Sequence, residues 1–266
     1  AQVVVAVLDT GVRFDHPDLA ANLIAGRDFV GADRNGNGAT ITPNTFLTSK
    51  DGDGYDAIAA DEGDGITDAE TNDFTGLFYH CTTPDDAGVY TQETSSWHGT
   101  QVSGIIGAVA NNGVGMSGAA RNVKVLPVRV LAKCGGWDSD ITAGMLWAAG
   151  VHVDGVPDNG TPAKVLNLSL GGAGSCSPLY TDIVGQVNAR GAVVVASAGN
   201  SAGRAVSEPA NCADCDAQAW YRLAWLVKST RVRAVVATTV PPRCTCTPGV
   251  ADISMAGSAT ATPSIR

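Results

Sequence analysis

Three short strings carry residue types that can move a proton or hold an oxyanion. "VAVLDTGV" sets Asp9 at the end of a β-branched run, with Thr10 and Gly11 forming a tight turn behind it. A carboxylate at the carboxyl end of a buried strand is partly desolvated and aimed into the strand-end crevice, which suits the orientation of a histidine. "SSWHGTQVSGIIGA" places His98 at the start of a helical pattern whose face carries Val102, Ile105, Ile106 and Val109, with Gly99, Ser103 and Gly104 allowing close packing. A histidine there is either a base at a crevice mouth or a structural cap. In "VVVASAGNS", Asn200 follows another strand-like run, where its amide either donates to an oxyanion or simply occupies a turn.

The elements that must position these groups alternate. "VVVAVLD" (3–9), "KVLPVRVL" (124–131), "KVLNLSL" (164–170) and "GAVVVASAG" (191–199) read as fully buried strands. Between them, "SSWHGTQVSGIIGAVA" (95–110), "SDITAGMLWAAGV" (139–151) and "SPLYTDIVGQVNARG" (177–191) have Ser or Asp starts and glycine stops, the signals of helices. The order implies an α/β fold: a doubly wound, mostly parallel sheet flanked by helices, with functional groups at the carboxyl ends of its strands. Two regions interrupt the rhythm. Residues 31–97 form a long Gly/Asp/Asn/Thr-rich insertion, expected to be surface loops tied by ions or by Cys81. Residues 213–256 gather Trp, Arg and Cys with no defensible period.

Composition narrows the function classes. The chain has 266 residues, enough for one large domain, and its 44% hydrophobic content and 32 glycines argue against a disordered or fibrous protein. A net charge of -9 repels phosphate backbones and anionic lipid, so no nucleic acid partner is expected. No apolar run reaches the roughly 20 residues of a membrane span. The start at "AQVVVAVLDTG", without a methionine or a basic-then-apolar leader, reads as a mature or trimmed fragment. Cys81, Cys134, Cys176 and Cys212 are isolated, which suits long-range disulfides in an oxidising compartment or else buried thiols; "CADC" (212–215) has no second pair to complete a metal site. D-T-G also occurs in aspartic proteases, but those need two such carboxylates sharing a proton, and this chain has one.

Taken together, "VAVLDTGVRFDHPDL", "HGTQVSGIIGA", "LNLSLGG" and "ASAGN" resemble the signatures of the subtilisin family of serine proteases, over about the first 212 residues. The resemblance implies a subtilisin-like fold and a secreted, calcium-stabilised endopeptidase acting on polypeptides through an acyl-enzyme. In it Asp9 orients His98, His98 serves as general base and acid, and Asn200 is the oxyanion donor. It further implies an edge strand at Leu168, Ser169, Leu170 and Gly171 that pairs with a substrate backbone. Ala196, Ser197, Ala198 and Gly199 would form an uncharged wall of the pocket for the residue preceding the scissile bond. Structural calcium would fall at Asp18 and Asn112 (or Asn111), and at Asp51, Asp53 and Asp56 in "DGDGYD", a string that is not an EF-hand because Tyr55 takes a ligand position and that also reads as a solvated acidic loop. Relatives of the bacterial secreted branch pair cysteines placed like Cys81 with Cys134 and Cys176 with Cys212, carry a leader and propeptide, and are monomers by default.

The family's nucleophile lies in G-T-S-M-A-T-P. Aligned without gaps, "GSATATP" puts Ser258 at the threonine and Ala259 at the nucleophile. Three explanations stand. The chain is a catalytically inactive domain that binds peptides, or Ser258 attacks after a one-residue slip, or the reading frame of the coding sequence shifts after Cys212. The third is favoured because pattern, turn chemistry and packing stop agreeing at one point. The family continues from "PANC" with an apolar strand and a Ser-Asn-Tyr-Gly turn, and neither follows here.

Overall fold

The computed structural model describes residues 2–200 and 206–212. Among these, five strands, β1 (Val4–Asp9), β2 (Arg27–Asp28), β3 (Lys124–Arg129), β4 (Val165–Leu168) and β5 (Val193–Ala196), form one sheet in the order β2-β3-β1-β4-β5. Every pairing between them is parallel. From β1 the chain goes to the outer strand β2, comes back to β3 beside β1, then crosses to β4 and β5 on the other side, so the direction of winding reverses about β1. Ligands of such sheets bind at the carboxyl ends of strands near that reversal.

The alternation along β1 explains how the two faces are covered. Ala6 and Leu8 join the cluster containing Ile141 and Met145 of α3 (Asp138–Ala148) and Tyr180, Ile183, Val184 and Val187 of α4 (Pro178–Ala189). Val5 and Val7 join the opposite cluster, against which Val102 and Ile106 of α2 (His98–Gly107) pack. Burial on both faces is why these strands read as continuous apolar runs rather than alternating ones. Asp9 continues the Val5–Val7 face, because strand side chains repeat every second residue. That register alone points its carboxylate toward α2.

The helices begin where local chemistry allows. Ser177 caps α4, its side chain accepting from the Tyr180 N–H, and Pro178 fills the first turn. Within the insertion, a short helix α1 (Asp68–Asn72) forms on a capping box: Thr67 Oγ1 accepts from the Glu70 N–H at 3.2 Å and Glu70 Oε2 accepts from the Thr67 N–H at 2.9 Å. The remainder of 31–97 is loop and turn, as its composition predicts. Two features differ from the sequence reading. Ile105 was assigned to the buried face of α2 but is 59% exposed, because the helix sits on its small residues Gly99, Thr100, Ser103 and Gly107. The two-residue β2 was too short to show a period.

Disulfides join Cys81 to Cys134 and Cys176 to Cys212. The first ties the insertion to the turn after β3, and the second ties the start of α4 to the returning 206–212 segment.

Candidate active site

The carboxyl ends of β2, β3 and β1 present a row of charge, since Asp28, Arg129 and Asp9 are the last residues of adjacent, in-register strands. Arg129 is fully buried and turns its guanidinium to Asp28 (2.6 Å), Asp51 and the Ser49 carbonyl. Asp9, fully buried, is left for the histidine. His98 Nδ1 lies 2.8 Å from Asp9 Oδ1 and 2.9 Å from Oδ2, and Oδ1 also accepts from the Thr10 N–H at 2.8 Å. A carboxylate facing Nδ1 makes that nitrogen the proton-bearing one and leaves Nε2 as the basic lone pair. The hydrogen bond to Asp9, ahead of opposing desolvation and the charges of Asp9, Asp64 and Asp61, raises the His98 pKa above its ordinary 6.5. The imidazole side chain is 18% exposed, so it is held from below and open from above.

Glycines make the approach possible. A Cβ on Gly99 would lie 2.1 Å from the Gly11 carbonyl oxygen and 3.1 Å from Asp9 Cβ. Gly11 itself sits at φ +94°, a turn conformation that side chains disfavour. Trp97, immediately before the histidine, is left-handed at φ 50° and gives α2 no side-chain cap.

Side chains that sequence reasoning missed complete the surroundings. Thr10 Oγ1 donates to Asp61 Oδ2 at 2.7 Å and accepts from the Gly99 N–H at 3.0 Å. Ser96 donates to Asp64 through both N–H (2.6 Å) and Oγ (2.7 Å), and its Oγ accepts from the His98 N–H at 3.2 Å. The available signal was the acids Asp61 and Asp64 of "DEGDG" (61–65), which lie inside the insertion expected to be surface loops.

Other expected site residues are placed as follows. Asn200 lies past β5, on the same carboxyl-end edge of the sheet as Asp9. Ser197 Oγ donates to the Leu170 carbonyl at 3.1 Å, so the segments Leu168–Gly171 and Ala196–Gly199 run side by side. Leu168 is the last residue of β4, in register with Ala196 of β5, and the Leu168 and Leu170 side chains are fully buried. What remains beyond the sheet is the Ser169–Gly171 stretch, after which Gly172 exchanges both backbone hydrogen bonds with Glu208.

Of the acids expected at calcium sites, Asp18, Asp51 and Asp56 accept hydrogen bonds. Asp18 accepts from Asn112 Nδ2 at 2.6 Å and from the Met116 N–H at 2.8 Å, and Asn112 turns its amide oxygen to the Val114 N–H. Calcium requires six to eight oxygen ligands, and the two groups that meet the Asp18 carboxylate are nitrogen donors. Asp51 is ion-paired with Arg129 and accepts from the Ser49 hydroxyl, while Asp56 accepts from the Ile58 N–H at 2.6 Å. Asp53 has its pKa raised by desolvation and by repulsion from Asp56 and Asp51. Among the described residues no group of three or more His, Cys, Asp or Glu is arranged to hold a metal ion. Ser258 and the anomalous 213–266 tail lie outside the described residues.

The protein named extracellular basic protease from Dichelobacter nodosus is 45% identical over 198 residues, 74% of this chain and 29% of its own length. An extracellular protease of Xanthomonas campestris pv. campestris is 43% identical over 212 residues, 79% of this chain and 32% of its own length. The chain thus spans about a third of the length of these curated relatives. A solved protease structure from Pseudoalteromonas arctica PAMC 21717 superposes with a TM-score of 0.64 at 41% identity, covering 79% of this chain and 53% of that one. The model of the Subtilase family matches residues 1–262, and with the parallel sheet and the Asp9–His98 pair in place, the chain belongs to that family.

Proposed function

We propose that this chain is the peptidase domain of a secreted serine endopeptidase, hydrolysing peptide bonds through an acyl-enzyme. The observation that carries the reading is the buried Asp9 carboxylate gripping His98 Nδ1 with both oxygens. In this scheme Asp9 fixes the tautomer and stabilises the imidazolium that forms. His98 Nε2 takes the proton from a serine hydroxyl as it attacks the scissile carbonyl, then delivers it to the leaving amine. The Asn200 amide donates to the developing oxyanion, a contact worth about 10²–10³ in rate in enzymes of this type. An extended polypeptide pairs its backbone with Ser169–Gly171, those hydrogen bonds supplying affinity, and Ala196–Gly199 wall the pocket for the residue preceding the scissile bond. Within this numbering Ser258 is the hydroxyl assigned to the attack.

The names of the relatives and the two disulfides support an extracellular setting. Among the described residues no helix is long and apolar enough to cross a membrane. Calcium binding is common in this family, but the donors around Asp18 do not fit a cation, and no step here runs through one.

The test is hydrolysis of a chromogenic peptide amide with apolar residues before the scissile bond, alongside His98→Ala. Turnover that falls by about 10³-fold or more in the variant supports the reading. Saturable peptide binding with no cleavage by the unmodified protein would overturn it and leave a binding domain.

A further inference from the structure

The Ser49–Asp64 segment takes no part in the chemistry above, yet it reaches the first turn of α2 by two matched relays. In one, Asp61 holds the Thr10 hydroxyl and that hydroxyl receives the Gly99 N–H (2.7 and 3.0 Å). In the other, Asp64 holds the Ser96 hydroxyl and that hydroxyl receives the His98 N–H (2.7 and 3.2 Å). Each is a carboxylate, a hydroxyl and an amide in sequence. They satisfy the two leading N–H groups of a helix whose own N-cap, Trp97, offers no side-chain acceptor.

The acids are themselves anchored. Lys50 Nζ donates to the Glu62 and Gly63 carbonyls at 2.8 and 2.9 Å, and the Gly63 N–H donates to Asp61 at 2.9 Å. One residue earlier, the Ser49 carbonyl is held by buried Arg129. The thirty-odd residues that separate Asp64 from His98 loop away and return through the Ile66–Glu93 backbone pair and the Gly65 N–H to Ser95 Oγ bond. A long insertion therefore leaves the two ends of the relay in register.

We infer that Asp61 and Asp64 are positioning residues for His98, fixing the first turn of α2 through Thr10 and Ser96 at the orientation in which the imidazole meets Asp9. This rests on the proposed role of His98 as the base. The charged groups that bear on the ring are Asp9 from β1 and Asp61 and Asp64 from the insertion, all favouring the imidazolium. Arg13, from the turn after β1, is instead engaged by Asp15 and lies over the Trp97 ring. The two acids also place negative charge at the positive end of the helix, where it is favourable.

The experiment uses Asp64→Asn, Ser96→Ala and Ser96→Thr in the full chain, with Asp61→Asn as a second route. Nitrogen-detected titration of the His98 imidazole and amide hydrogen exchange at His98 and Gly99 are the readouts. Asp64→Asn is expected to move the His98 midpoint to lower pH. Ser96→Ala is expected to speed His98 amide exchange by about threefold to tenfold, the worth of one hydrogen bond, and Ser96→Thr to restore it. An unchanged midpoint in both Asn variants, or unchanged exchange in Ser96→Ala, would overturn the inference. Neither readout needs turnover, so a protein that cuts no peptide but shows these shifts refutes the catalytic reading and keeps the relay.

Discussion

Replacing Gly99 by alanine isolates the packing that brings Asp9 and His98 together. The added Cβ would meet the Gly11 carbonyl oxygen at 2.1 Å, and that oxygen belongs to backbone held in a left-handed turn against Ala60, so it has little room to yield. Restoring an ordinary carbon–oxygen contact requires α2 to retreat by roughly 1 Å. A retreat of that size stretches the Gly99 N–H to Thr10 Oγ1 bond from 3.0 Å to about 4 Å, beyond hydrogen-bonding range. It also loosens the 2.8 Å contact between His98 and Asp9. Overpacking costs about 1–3 kcal/mol and the lost bond about 1 kcal/mol, so denaturant unfolding should show a deficit of about 2–4 kcal/mol. A 1 Å misplacement at a catalytic pair is worth about 10²-fold in rate. The downfield proton resonance of His98 Nδ1–H should broaden or vanish. Gly99→Ala with unchanged unfolding midpoint and an intact Nδ1–H resonance would refute the argument that this glycine sets the approach.

Three further outcomes follow from the geometry. His98 holds its proton above pH 6.5, so the acid limb of kcat/KM should lie above that value, and Asp9→Asn should move it down. For stability, a raised folded-state pKa means that the contribution of charged His98 is complete below pH 6.5 and is lost as pH rises through the higher folded value; His98→Ala should flatten unfolding free energy across that window. Arg129→Met leaves Asp28 and Asp51 without their buried partner and should cost about 3–5 kcal/mol in urea unfolding, with Asp28→Asn in the same chain recovering part of the loss. Replacing Cys81 and Cys134 together by serine opens a loop of 53 residues, and chain entropy gives a loss of about 4 kcal/mol, readable as a lower Tm under non-reducing conditions.

Much of the architecture was legible because it is local. Four apolar runs became β1, β3, β4 and β5, and Asp9 sits at the end of β1 as its string implies. The pairing of Cys81 with Cys134 and of Cys176 with Cys212 followed from family resemblance and not from spacing, since isolated cysteines allow several connectivities. What escaped were contacts made across long separations. Thr10 and Asp61 are 51 residues apart and Ser96 and Asp64 are 32 apart, and neither pair has a period or motif to announce it. Ile105 was misassigned because an apolar side chain was given the core, whereas close packing favoured the glycine, serine and threonine face. At Asp18 the sequence supplied the acid and the amide but not the amide's orientation, which turns Asn112 Nδ2 to the carboxylate.

The claim at the centre is that Asp9 and His98 serve a nucleophilic serine. Treating the purified protein with a fluorophosphonate, then measuring intact mass and mapping the labelled peptide, tests it most directly. The account predicts a single adduct, on a serine in the segment beyond Cys212, that does not form in His98→Ala. No adduct on a folded protein whose peptides read "GSATATPSIR" with Ser258 unmodified would contradict it.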